Sequence, residues 1–131
     1  MSAVEKKRIL IVDDEDTLSH LMRINLELAH CYEVCEENKG TRALETALRF
    51  KPDVVLMDVI MPDKSGEAVA SEIRAHPLLQ NVSIIFFTAA VSRKKTTETE
   101  KVMKGQLYLS KPARTAEVIQ MIEQCLRNQR R

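Results

Sequence analysis

Short apolar runs that do not alternate with polar residues, each followed by a stretch of helical periodicity, constrain this chain more than any other feature. The runs are Ile9-Leu10-Ile11-Val12, Val54-Val55-Leu56-Met57 and Ile84-Ile85-Phe86-Phe87, with weaker strand signals at Tyr32-Glu33-Val34-Cys35 and Leu107-Tyr108-Leu109. A strand with one wet face alternates apolar and polar residues, whereas a strand apolar throughout is covered on both faces. Amphipathic stripes lie between the runs: Leu18, Leu21, Met22, Leu28 and Ala29; Ala43, Leu44, Ala47 and Leu48; Ala68, Val69 and Ile73; and Val118, Ile119, Ile122, Cys125 and Leu126. Pro52 and Pro77 fall just after two of these stripes, where a proline ends a helix at little cost. Strand–helix alternation with short links requires right-handed βαβ units and a parallel sheet. The expected fold is α/β, a doubly wound five-stranded parallel sheet with helices on both faces.

The fourth helical stretch departs from the pattern. From Ser92 to Lys104 nearly every residue is polar, and only Val102 and Met103 can anchor it. Thr97 followed by Glu100 forms a capping-box pattern, so the helix is expected to start there and leave 92–96 as a loop. Such sparse burial places it among the least stable parts of the fold. The Arg93-Lys94-Lys95 run reads as a solvated surface charge.

Size and charge narrow the classes. A chain of 131 residues has room for one ordinary domain, and 44% hydrophobic against 30% charged residues supports a core. Lys and Arg total 20 against 19 Asp and Glu, which gives no electrostatic reason to expect nucleic-acid or membrane-surface binding. The apolar runs reach about half a bilayer span at most, so no transmembrane helix is expected. Residues 1–8 lead straight into a strand without a signal-peptide apolar region, and the expected location is the cytoplasm. Cys31, Cys35 and Cys125 lack metal-site or disulfide spacing and are read as small apolar residues against the core. His20, His30 and His76 have no second ligand at metal spacing, and His30 and His76 are expected at helix ends, where a partly positive ring suits the helix dipole.

In an open parallel sheet the carboxyl ends of the strands share one edge, and ligands bind there. Asp13 and Asp14 follow the first strand, Asp58 the third, Thr88 ends the fourth and Lys111 follows the fifth. A lone strand-end Asp is most often a helix cap, a lone Thr a packed strand residue, and a lone Lys a surface charge; their joint placement is what points to a site. Two carboxylates about 4 Å apart repel by roughly 4 kcal/mol at an effective dielectric of 20. A bound cation relieves this, and hard oxygen ligands with room for water suit Mg²⁺. Cation, ammonium and hydroxyl together can receive a phosphoryl group, with one carboxylate as nucleophile. Asp58 is the candidate because it stands alone on the middle strand.

At these residues the chain resembles the response-regulator receiver family, of the kind seen in the bacterial chemotaxis regulator. The matching stretches are Ile9-Leu10-Ile11-Val12-Asp13-Asp14, Leu56-Met57-Asp58-Val59-Ile60-Met61-Pro62 with Gly66, Phe87-Thr88-Ala89, and Tyr108-Leu109-Ser110-Lys111-Pro112. They span essentially the whole chain in the family's order. The resemblance implies a single receiver domain over 1–131 with a core of about 7–127, and the flavodoxin-like strand order 2-1-3-4-5. It implies that Asp58 is phosphorylated by a sensor histidine kinase or a histidine phosphotransfer protein. Asp14, Asp58 and the backbone carbonyl of Ile60 would bind Mg²⁺ directly, and Asp13 through water. Lys111 would pair with the phosphoryl group, next to Pro112. Thr88 and Tyr108 would be the switch pair that remodels a binding face made of the fourth helix, the fifth strand and the last helix.

Some positions depart from the family pattern. Gln106 stands where a small residue is common. Ile60 and Ala90, each two past Asp58 and Thr88, are apolar where polar residues can position the hydrolytic water, so a long-lived phosphoryl group is expected. The resemblance implies a signalling switch that catalyses only its own phosphorylation and dephosphorylation. It also implies no direct nucleic-acid or membrane binding, and a monomer or a phosphorylation-dependent dimer. One rival reading is a Mg²⁺-dependent phosphatase with an aspartyl nucleophile, although Asp13-Asp14-Glu15-Asp16 fits an Asp-x-Asp pair poorly. Another is a receiver fragment of a longer regulator whose output domain is missing.

Overall fold

The computed structural model describes residues 5–88, 107–110 and 113–129. Strands β1 (Lys7–Val12), β2 (Tyr32–Glu37), β3 (Val54–Met57), β4 (Ser83–Thr88) and β5 (Leu107–Ser110) alternate with helices α1 (Asp16–Glu27), α2 (Ala43–Phe50), α3 (Gly66–Ala75) and, after β5, α4 (Thr115–Gln129). All pairings are parallel, in the order β2-β1-β3-β4-β5. The fold is the doubly wound α/β sheet expected from the sequence. The polar stretch expected as a fourth helix lies outside the described residues, as do Ala90, Lys111 and Pro112.

The non-alternating strands divide their side chains between two cores. Ile9, Ile11, Val54, Leu56 and Ile85 face α1 and α4, where Leu26, Val118 and Ile122 are buried. Leu10, Val12, Val55, Met57 and Phe86 face α2 and α3, where Ala43, Ala47, Val69 and Ile73 are buried. Strand residues therefore alternate between two dry layers, which is why no polar residue interrupts them.

The stripe expected on α1 is wrong in phase. Leu18 and Leu21 are 46% and 54% exposed, while Ser19 and Leu26 are buried with Met22 at the core's edge. Positions 19, 22 and 26 still follow helical spacing, one residue away from the predicted face. Leu28 and Ala29 lie beyond the helix end at Glu27. In α3 the buried alanine is Ala70, and Ala68 is exposed. Of the cysteines expected against the core, Cys125 is buried and Cys35 half-buried, but Cys31 is exposed. His76 stands at the C-terminal end of α3, as expected, and its Nδ1 also accepts a hydrogen bond from the Leu78 N–H (3.1 Å), capping the next short turn.

Two long-range polar ties fasten α4 to the sheet. Gln129 Nε2 donates to the Asp53 carbonyl (2.8 Å) and to Ser83 Oγ (2.7 Å), joining the end of α4 to the starts of β3 and β4. The buried Tyr32 hydroxyl donates to Glu123 Oε2 at 2.5 Å, joining β2 to α4. Burial first, and then the Glu123 carboxylate, push the Tyr32 phenol well above its ordinary value. The neutral phenol is thus favoured in the folded chain. Its contribution is full below roughly pH 10, the ordinary tyrosine value, and is lost as pH rises towards the folded value. Tyr32→Phe is expected to lower stability by about 1 kcal/mol at neutral pH. In denaturant titrations the variant should also lack the part of the wild type's alkaline destabilisation that starts near that value.

Candidate functional site

The register of the sheet builds the site. Val12 of β1 pairs with Met57 of β3, so the next residues, Asp13 and Asp58, leave adjacent strands side by side. The Asp58 N–H donates to the Val12 carbonyl (2.9 Å) and the Asp13 N–H to the Glu37 carbonyl (3.1 Å), extending both ladders by one rung. Asp13 is 3% exposed and Asp58 6%, while Asp14 stands nearer to solvent. Ligand oxygens from the three carboxylates lie within 4.8 Å of one another. Asp13 Oδ1 accepts the Glu15 N–H at 3.0 Å, which fixes that carboxylate at the entry to α1.

The loop between β3 and α3 carries Asp58 and the Ile60 carbonyl, and it is closed at both ends. The Gly66 N–H donates to the Val59 carbonyl at 2.8 Å. A Cβ on Gly66 would collide with the Asp58 carbonyl oxygen, so only glycine permits α3 to start this close to the acidic site. Ser65 caps α3 by accepting the Ala68 N–H (3.1 Å). At the outer side, the Asp63 carboxylate accepts from the Thr41 N–H (3.0 Å), the Thr41 hydroxyl (3.0 Å) and the Gly40 N–H (3.3 Å). Those bonds, the Thr41 N–H foremost, hold the Asp63 carboxyl below its usual value.

Asp13, Asp14 and Asp58 are therefore brought together, as the sequence predicts. Thr88 closes β4, in register with Ser110 at the end of β5. Tyr108 sits half-buried on β5 with its ring 5.3 Å from that of Phe86, tilted by 32°. The Ile60 side chain is 66% exposed at the rim. Lys111 lies outside the described residues. Sequence reasoning misses Asp63, Ser19 and Asn38, whose importance comes from partners 17 to 25 residues away. The carboxylate cluster suits a hard divalent cation: oxygen donors on two loops, two of them nearly buried, one open to water.

Comparison with known proteins agrees with this geometry. The response regulator receiver domain family matches residues 9–123, and the chain belongs to that family. It is 34% identical over 125 residues to the alkaline phosphatase synthesis transcriptional regulatory protein PhoP of Bacillus subtilis, covering 92% of this chain and 49% of that protein. The chain thus spans about half the length of this curated relative. Among solved structures it resembles the chemotaxis protein CheY4 of Vibrio cholerae, with TM-score 0.77, 25% identity, and 92% and 98% of the two chains covered. A CheY-like receiver domain protein of Methanospirillum hungatei gives TM-score 0.78 at 25% identity, covering 96% and 98%. Receiver domains are signalling modules that bind Mg²⁺ in an acidic pocket and interact with histidine kinases or phosphotransfer proteins.

The depressed Asp63 carboxyl has a pH signature. Its contribution is present above the ordinary aspartate value of roughly 3.9 and is lost as pH falls through the lower folded value. Asp63→Ala should be less stable than the wild type at neutral pH. Denaturant midpoints measured from pH 7 downwards should show that deficit shrinking below the ordinary value.

Proposed function

We propose that this chain is a phosphorylation-dependent signalling switch that takes a phosphoryl group onto Asp58 from the phosphohistidine of a sensor kinase or phosphotransfer protein. The observation that carries the reading is the convergence of the three carboxylates at neighbouring strand ends in a chain of the receiver family. Asp58 follows β3, the central strand of the sheet, and stands between the Asp13–Asp14 side and the ends of β4 and β5. A carboxylate oxygen of Asp58 attacks phosphorus, the P–N bond to the donor histidine breaks, and its electron pair stays on the imidazole nitrogen, which takes a proton. Asp14, Asp58 and the Ile60 carbonyl would hold Mg²⁺, with Asp13 acting through water, and the ion would supply charge neutralisation for the phosphoryl oxygens.

The remaining roles belong to the chain's own residues. Lys111 pairs with the phosphoryl group, Thr88 donates its hydroxyl to it, and Tyr108 turns inward as Thr88 moves. That exchange alters the face carrying β5 and α4, so phosphorylation is read by a protein partner and not by turnover of a substrate. Alongside the acidic cluster, a cleft of about 250 Å³ runs between α1 and the start of α4, bordered by Leu18, Leu21, Phe87 and Ala113. Exposed leucines beside a buried reactive carboxylate suit docking of the phosphodonor protein. The switch acts without direct nucleic-acid or membrane contact, works in the cytoplasm, and is a monomer or a phosphorylation-dependent dimer.

Intact mass after incubation with Mg²⁺ and acetyl phosphate tests this. One phosphoryl group is expected on the wild type and none on Asp58→Asn or in a metal-free control. Equal labelling of Asp58→Asn would refute the assignment, and steady release of phosphate from simple esters would favour a phosphatase. The apolar Ile60 at the rim leads to a second expectation: phosphorylated, kinase-free protein in excess Mg²⁺ retains its label for longer than Ile60→Glu does.

A further inference from the structure

The backbone ladder between β1 and β2 gives way to a side chain beyond its last rung. Asn38 Nδ2 donates to the Asp13 carbonyl at 2.7 Å and to Ser19 Oγ at 2.9 Å. The carboxamide nitrogen carries two protons, so both bonds are made together. Ser19 is 1% exposed, on the inner face of α1. Its own proton is directed at the Asp16 carbonyl (3.1 Å) or Glu36 Oε1 (3.3 Å). Burying a hydroxyl in a helix face that could hold an apolar side chain costs free energy unless it is paired. Here the pairing leads to the strand end of the acidic site.

The carbonyl that Asn38 holds belongs to the peptide joining Asp13 to Asp14. Rotation of that peptide plane would swing the two carboxylates apart relative to Asp58, which is fixed on the neighbouring strand through the Val12 carbonyl. Repulsion among the carboxylates favours such a rotation. We infer that Asn38, oriented by Ser19, is a positioning residue for the acidic site, locking the Asp13–Asp14 peptide so that the three carboxylates stay convergent on a divalent cation. The inference rests on the reading of the cluster as a Mg²⁺ site.

Partners that orient metal ligands cost about 10-fold or more in affinity when removed. Calorimetric titration of Mg²⁺ into the full chain, which has no tryptophan to report binding, gives a readout independent of phosphorylation. Asn38→Ala is expected to weaken Mg²⁺ binding about 10-fold. Ser19→Ala should give a smaller loss in the same direction, and it carries the test if Asn38→Ala does not fold. Tyr32→Phe, at the opposite end of β2, should lose stability with unchanged Mg²⁺ affinity. Wild-type affinity in folded Asn38→Ala and Ser19→Ala would overturn the inference, as would an equal loss in Tyr32→Phe. Absence of Mg²⁺ binding by the wild type would overturn the metal-site reading itself, and the inference with it.

Discussion

Three carboxylates within 4.8 Å repel one another, and much of the architecture at the carboxyl edge of the sheet works to keep them there. Parallel pairing of β1 with β3 places two of them on neighbouring strand ends, nearly buried, where charge is hardest to tolerate. The flanking loops are held by side-chain and backbone bonds: Glu15 on Asp13, Gly66 on Val59, Asp63 on Gly40 and Thr41. A site assembled against its own electrostatics is primed for a cation, which would remove the conflict. The same tension makes the site responsive, because satisfying it changes which nearby arrangement is lowest in free energy.

The fold was legible because parallel strands covered on both faces need uninterrupted apolar sequence, and Ile9–Val12, Val54–Met57 and Ile84–Phe87 supply it. The phase of α1 was not. Leu18, Leu21, Met22 and Leu28 offer a convincing apolar stripe, yet the helix turns Ser19 and Leu26 inward. Tertiary hydrogen bonding to Glu36 and Asn38 stabilises the serine, and hydropathy alone carries no trace of such a partner. Leu18 and Leu21, left exposed as a result, border the cleft alongside the acidic cluster, where a binding surface is useful.

The site divides in the same way. Strand-end acids are visible from sequence because the end of an apolar run locates them, and their shared edge follows from topology. Asp63 looks like one more turn residue after Pro62 until its carboxylate is seen to cap the turn at Gly40 and Thr41 across the loop. Asn38 looks like a polar link between β2 and α2, and its bond to the Asp13 carbonyl is a product of the fold. Gly66 announces a turn, whereas the reason for glycine, the approach of the Asp58 carbonyl, appears only in three dimensions.

The strand order also bears on how the chain is made. β1 lies between β2 and β3, and its Ile9 pairs with Val34 on one side and with Val54 on the other. During synthesis β2 emerges first, so β1 can gain one neighbour while its second edge, apolar on both faces, waits for residues 54–57. Pairings of this span close late and expose sticky strand edges in the interval. The nascent chain is therefore open to misassociation between the emergence of β2 and that of β3. Codon usage or chaperone contact over the α2 segment would be felt in yield, with no trace in the stability of the finished protein.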